Sequence, residues 1–155
     1  MRILFSFSEY EDMQTRLNEV EFIVKGSEKS VTIATTRPEL LCTAAMVIYH
    51  PDDNRYKNLK GKSLVVPIFN IEIPIKAHPL ADPKFGTGLV FMSKSAGDQN
   101  AIRFLREENI EPEMAVDERG RMKDVAGSLK GLKTKEAREK IIDDLKKLNV
   151  LKKQH

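Results

Sequence analysis

Three stretches of this chain gather residue types able to handle a polar, oxygen-rich substrate. Ala34-Thr35-Thr36-Arg37-Pro38-Glu39-Leu40-Leu41 sets two hydroxyls and a guanidinium at the end of an apolar run. Phe85-Gly86-Thr87-Gly88, after Ala77-His78-Pro79-Leu80-Ala81-Asp82-Pro83-Lys84, joins an aromatic ring to a glycine-flanked hydroxyl. Ser93 to Ala101 is a polar loop containing Asp98 that runs into a helix. A guanidinium donates bidentate hydrogen bonds to carboxylate or phosphate, and a carboxylate accepts from an ammonium group or a water. Taken singly, each stretch also has a plain structural role. Thr35-Thr36 finishes a strand, Arg37-Pro38 makes an exposed turn, Gly86 and Gly88 supply backbone freedom, and Asp98 caps a helix. No nucleophile is paired with a base. His50 and His78 each precede proline and read as loop or strand-end residues, and His155 is terminal. Cys42 has no Cys or His partner at metal-ligand spacing and no second cysteine to bridge, which speaks against zinc and suits a reducing cytoplasm.

The elements that must position these residues are mostly strands. Glu19 to Lys25 alternates polar and apolar residues, Gly26-Ser27 turns the chain, and Ser30 to Ala34 returns as the second half of a hairpin. Ala44 to Tyr49 is apolar almost throughout, which predicts a strand covered on both faces, and His50-Pro51-Asp52-Asp53 ends it. Asn54 to Lys60 suits a short helical turn. Ser63 to Phe69 and Ile71 to Ala77 are β-rich runs, each with a proline that predicts an edge, a bulge or a strand end there. Gly88 to Ser93 is another strand.

The period then changes. Ile102 and Leu105 predict one apolar helix face running to about Asn109, and Asp117-Glu118-Arg119-Gly120 reads as a turn flanked by Glu113 to Val116 and Arg121 to Lys123. Thr134 to Leu148 carries Ala137, Ile141, Leu145 and Leu148 on one stripe, with Thr134 as its expected cap. Its basic residues Lys135, Arg138, Lys146 and Lys147, with Lys152 and Lys153 beyond, read as a solvated surface or as phosphate contacts. Many strands with a few inserted helices predict an α+β domain, mainly β, rather than a doubly wound sheet.

The 155 residues suffice for one domain with a real core, and the net charge of +3 permits an RNA partner without requiring one. No apolar run is long enough to span a bilayer, and the N-terminal MRILFSFSEYEDM lacks a signal peptide's long apolar region and cleavage site. A cytoplasmic domain without membrane partners is expected.

In this order and spacing, the stretches resemble the inserted editing (CP1) domain of the class I valyl, isoleucyl and leucyl synthetases. The TTRPE strand end is followed by His50-Pro51-Asp52-Asp53-Asn54-Arg55-Tyr56, by Ile73-Pro74-Ile75-Lys76-Ala77, by Asp82-Pro83-Lys84-Phe85-Gly86-Thr87-Gly88, and by the loop that opens the helix. Gly131-Leu132 and the helix with Ala137-Arg138 continue the pattern, and the likeness covers roughly residues 19–152. Within the family, Ala-Thr-Thr-Arg-Pro-Glu-Leu with HPDD-x-RY looks most like the valyl members. Met92-Ser93-Lys94-Ser95 superficially resembles the ATP signature of synthetase catalytic domains, but Phe91 replaces its first lysine and no HIGH-type segment precedes it.

The resemblance implies a mixed β-barrel with peripheral helices over residues 19–155, preceded by a lead-in segment at 1–18. It implies hydrolysis of mischarged Thr-tRNA(Val), with threonyl-adenylate as a second candidate substrate and no cofactor in this domain. ATP and magnesium are expected only for the parent synthetase. The implied partners are the aminoacylated 3′ end of tRNA and the rest of the synthetase. Asp98 and Thr35 take the catalytic positions, Asp98 holding the ammonium group or orienting water. Thr36, Arg37, Phe85, Gly86, Thr87, Gly88 and Ser93 border the substrate, with Phe85 near the terminal adenosine. The family shows two aspartates three residues apart at this helix start, and here Ala101 stands at the second. An isoleucyl-type domain removing valine and a non-catalytic tRNA-binding module are the alternative readings.

Overall fold

The computed structural model describes residues 16–95 and 99–154. Among these residues seven strands lie in one sheet: β1 (Asn18–Val24), β2 (Ser30–Thr35), β3 (Ala44–Tyr49), β4 (Ser63–Val65), β5 (Glu72–Ala77), β6 (Leu89–Ser93) and β7 (Leu151–Gln154). Their order is β2-β6-β3-β5-β4-β1-β7, and β1 also pairs with β2. Six strands therefore close into a mixed barrel, and β7 is added outside the ring on β1. The β2–β6 and β3–β5 pairs are parallel, and the other neighbours run antiparallel.

β1 and β2 form the expected hairpin in a regular register from Asn18↔Thr35 to Ile23↔Ser30. β1 begins at Asn18, whose buried amide donates to the Thr35 carbonyl at 3.2 Å and whose oxygen accepts from Gln154 Nε2 at 2.8 Å. β3 is buried at every residue. The reason is visible in its two faces: Val47 and Tyr49 join the principal core, while Met46 and Ile48 pack in a second cluster with Met92, Phe104 and Leu105.

The two prolines behave differently. Pro67 follows β4 and ends it, so the run predicted to continue to Phe69 stops at Val65. Pro74 lies inside β5, a strand with partners on both sides. β4 pairs with residues Glu72, Ile73 and Pro74, and β3 pairs with Ile75, Lys76 and Ala77. The proline thus sits where the strand passes from one neighbour to the other, so its missing N–H interrupts neither ladder.

Helix α1 (Gln99–Glu107) buries Phe104 and Leu105, with Ala101 partly buried beside them. Positions 101, 104 and 105 form one face by the i, i+3, i+4 rule. Ile102 lies off that face and is 38% exposed, contrary to the expected pairing of Ile102 with Leu105. Helix α2 (Thr134–Lys147) buries Ala137, Ile141 and Leu145 as expected, but Leu148 falls at its C-terminal end, 55% exposed. Its first turn is closed by Glu136, whose carboxylate accepts the Lys133 backbone N–H at 3.1 Å, rather than by Thr134. Among the described residues three 3₁₀ segments complete the packing, Pro38–Thr43 under α2, Lys57–Leu59 within the expected helical turn, and Asp124–Leu129, and the Asp117–Gly120 turn forms as expected.

Cys42 is buried in the Pro38–Thr43 segment, and burial pushes its thiol up to about 11. Iodoacetamide at pH 8 is expected to label the unfolded chain in urea readily and the native chain many times more slowly. Mass spectrometry of the two time courses checks this, and equal rates would refute it. Because the folded-state value is raised, the thiol's contribution to stability is complete below pH 9 and is lost as pH rises toward 11.

Candidate functional site

A cavity of about 410 Å³ opens on the outer side of β3 and β6, under the start of α1. Its size lies within the range of pockets for small molecules. Thr35, Thr36 and Arg37 border it where β2 ends, Ser93 and Ser95 border it where β6 ends, and Asn100 and Ala101 border it from the first turn of α1. The apolar part of the wall comes from Leu40, Ile48, Leu80, Val90, Phe91 and Met92. The parallel pairing of β2 with β6, Ala34 opposite Val90, brings the first stretch beside the third.

Local hydrogen bonds fix this wall. Thr35 Oγ1 accepts the Arg37 backbone N–H at 3.1 Å, which tightens the strand end as a turn. The hydroxyls of Ser93 and Thr43 lie 2.8 Å apart, and Ser93 Oγ accepts the Ser95 backbone N–H at 3.0 Å. Ser95 Oγ in turn accepts the Ala115 N–H at 3.2 Å, so Ser95 is held by both its backbone and its side chain. Ser93 thus lines the cavity with its hydroxyl already engaged.

The predicted residues divide into three groups. Thr35, Thr36, Arg37 and Ser93 come together around the cavity. Asp98 lies outside the described residues; Ser95, three positions before it, and Asn100, two positions after it, both border the cavity. Phe85, Gly86, Thr87 and Gly88 form a turn beside the strand end and do not line the cavity. Phe85 is 67% exposed at its tip. An ideal Cβ at Gly86 would lie 3.5 Å from the Ala34 Cβ, so the turn stacks on β2 immediately before Thr35.

Gly88 has a structural reason of its own. It holds φ at +84°, and a Cβ there would run into the Arg55 guanidinium and lie 2.9 Å from Asp53 Oδ2. Arg55 Nη2 donates to Asp53 at 2.8 Å and to the Pro83 carbonyl at 2.9 Å, while Tyr56 donates its hydroxyl to the Thr87 carbonyl. The His50–Tyr56 segment therefore serves as a brace for the glycine turn. The Arg55 guanidinium holds the Asp53 carboxyl below the usual carboxylate range. His50 and His78 each accept a backbone N–H at Nδ1, from Asp52 and Leu80, both at 3.1 Å, as turn residues do.

Sequence reasoning missed Asn100 and Ser95 as wall residues, and it missed the role of Glu39. That carboxylate is fully buried and receives a bidentate fork from Arg138, Nε at 3.0 Å and Nη2 at 2.9 Å. Arg138 is thus turned inward to a partner 99 residues away, rather than displayed with the surface lysines of α2. Among the described residues no group of three or more His, Cys, Asp or Glu is placed to hold a metal ion, and no helix is long and apolar enough to cross a membrane.

This closed mixed barrel with helices outside has the fold found in class I aminoacyl-tRNA synthetases. The agnB2 LeuRS of Agrobacterium radiobacter K84, solved in a ternary complex with tRNA and LeuAMS, matches it with a TM-score of 0.66 at 18% identity. That match covers 95% of this chain and 21% of the synthetase. Sequence similarity narrows the class. The valine–tRNA ligase of Methanocaldococcus jannaschii is 41% identical over 152 residues, covering 98% of this chain and 17% of the relative. Those of Nanoarchaeum equitans and Rickettsia felis are 46% and 47% identical over 140 and 148 residues, covering 90% and 93% of this chain. No family model matches the chain. The chain belongs to the valine–tRNA ligases as a piece of such an enzyme, and it spans less than a fifth of the length of these relatives, 17% and 18% in the first two.

Proposed function

We propose that this domain hydrolyses the ester of mischarged Thr-tRNA(Val), and that the cavity beneath α1 is its editing site. The observation that carries the reading is the convergence of Thr35, Thr36, Arg37 and Ser93, from two separate stretches, on one cavity that Ser95 and Asn100, on either side of Asp98 in the sequence, also line. The selective pressure for such a site is physical. Threonine and valine are nearly isosteric, so an apolar synthetic pocket rejects threonine by only about a hundredfold, and valyl enzymes are themselves the standard example of this limit.

In this reading water attacks the ester carbonyl, the carbon–oxygen bond to the ribose breaks, and free threonine leaves as the ribose hydroxyl recovers a proton. No strong base is needed if the water and ester are held in line and the developing oxyanion is stabilised. Arg37 supplies positive charge and hydrogen-bond donors at the cavity mouth. Thr35 and Thr36 offer hydroxyls to the substrate or the water, and Asp98 receives the ammonium group or orients the water. The exposed Phe85 ring is available to the terminal adenine, with the Gly86-Thr87-Gly88 turn beside it. The tRNA and the remainder of the synthetase are the partners.

The test is deacylation of Thr-tRNA(Val) and Val-tRNA(Val) by the 155-residue chain. Selective loss of threonine is expected, reduced about a hundredfold or more by Asp98→Ala. Equal rates on the two esters, or an unaffected variant, would refute the assignment. A second reading, a tRNA-binding module without hydrolysis, draws on Ala101, which brings a methyl group to the wall where the family resemblance implies a second carboxylate. Salt-sensitive tRNA binding by a folded chain without ester loss would favour it.

A further inference from the structure

We propose that Glu39 is a positioning residue that fixes Arg37 at the cavity mouth, with Arg138 of α2 as its anchor. The inference rests on the reading of that cavity as an ester-hydrolysing site, and it assigns the way the fold controls one of its cations.

Glu39 lies in the 3₁₀ segment Pro38–Thr43, all six residues of which are buried, and its side chain is fully enclosed. Its two oxygens take the Arg138 fork, Nε to Oε1 at 3.0 Å and Nη2 to Oε2 at 2.9 Å. A bidentate pair fixes the carboxylate plane as well as its position. The same Oε2 lies 3.5 Å from Arg37 Nε. Arg37 borders the cavity with its side chain 47% exposed, whereas the Arg138 side chain is 25% exposed.

These facts have a directional consequence. A half-exposed arginine has many rotamers, and a fixed anion beside its Nε selects among them. The contact engages Nε and leaves the two terminal nitrogens of Arg37 uncommitted by it. Proline at 38 and the Arg37 N–H bond to Thr35 Oγ1 hold the backbone on either side of the Arg37 Cα. The guanidinium is thus tethered at both its backbone and its Nε, and the anchor of the tether is on α2, remote in sequence from the cavity.

The experiment has two arms. The first follows the Nε–Hε resonance of Arg37 by ¹⁵N heteronuclear NOE in the wild-type chain and in Glu39→Gln/Arg138→Gln. This double substitution leaves no buried charge unpaired. An ordered Arg37 Nε in the wild type and a mobile one in the variant is expected, and equal order in both overturns the proposal. Arg138→Lys, which keeps the charge and loses the fork, serves if the double variant does not fold, with a loosened Arg37 expected and an unchanged one decisive against.

The second arm measures Thr-tRNA(Val) deacylation. Arg37→Ala and the double variant are each expected to lower kcat/KM by roughly tenfold to a hundredfold. The triple variant is expected to lose nothing beyond Arg37→Ala alone, because Glu39 acts through Arg37. A further loss in the triple variant would mean a structural role only and would overturn the proposal. Absence of hydrolysis by the wild-type chain overturns the functional reading instead, and the NMR arm then judges the tether by itself.

Discussion

Arg138→Ala is expected to destabilise the fold by about 3 kcal/mol, the lower end of the cost of stranding one member of a buried ion pair. Glu39 has no exposure to water, so it cannot recover solvation when the guanidinium is removed. Arg37 remains 3.5 Å from the carboxylate but is half-exposed, which is why the lower end applies. For a domain of this size the midpoint of thermal unfolding should fall by roughly 6–12 °C. Replacing both partners with apolar residues, Glu39→Leu with Arg138→Met, should restore most of the loss, because no buried charge is then left alone. Circular dichroism melts of the three proteins check the pattern. A single variant within about 1 kcal/mol of wild type would show that the pair contributes little.

Gly88→Ala is the second large effect. The backbone there has φ at +84°, which a residue with a Cβ adopts at a cost of about 1–3 kcal/mol. The new methyl would also displace the Arg55 guanidinium from Asp53 and from the Pro83 carbonyl. Because Arg55 is long and half-exposed it can swing aside, so the brace is lost without the core being breached. The expected result is a destabilisation of roughly 2–3 kcal/mol, mostly from the backbone. Denaturant unfolding of Gly88→Ala against Arg55→Ala separates the two sources. If the glycine matters only for space beside Arg55, the two substitutions together should cost no more than Arg55→Ala alone. If the positive φ dominates, Gly88→Ala should keep most of its cost in the Arg55→Ala background.

These two sites also mark where the chain was legible and where it was not. The β3 strand could be read from Ala44 to Tyr49 because a run without polar residues has to be covered on both faces, and two clusters cover it. The α2 stripe was legible for the same kind of reason, since Ala137, Ile141 and Leu145 repeat at helical spacing. The threonine-rich strand end and Ser93 were placed at one site by the family resemblance rather than by any pattern in the residues themselves, and both do line one cavity. Glu39 and Arg138 could not be paired from sequence, because each looks like an ordinary surface charge and 99 residues separate them. Gly88 was read as backbone freedom beside the substrate, and nothing in the sequence pointed to Arg55 as the neighbour that leaves no space for a Cβ there. Ile102 misled because an apolar residue next to a helix face is not necessarily on it, and the packing chose Phe104 instead.

The attachment of β7 outside the ring has a consequence for how copies of this domain behave toward one another. β1 gives one side to β2, but its other side is met by β4 only at Ile23 and Val24. Along Asn18, Glu19 and Val20 that side would otherwise offer open backbone donors and acceptors, a template on which a foreign strand can add. β7 closes this stretch and, among the described residues, becomes the sheet's margin in its place. It is only four residues long, and it carries Lys152 and Lys153, both exposed. Shortness and positive charge make a poor template for further strand addition, so β7 works as a charged hem that discourages edge-to-edge aggregation.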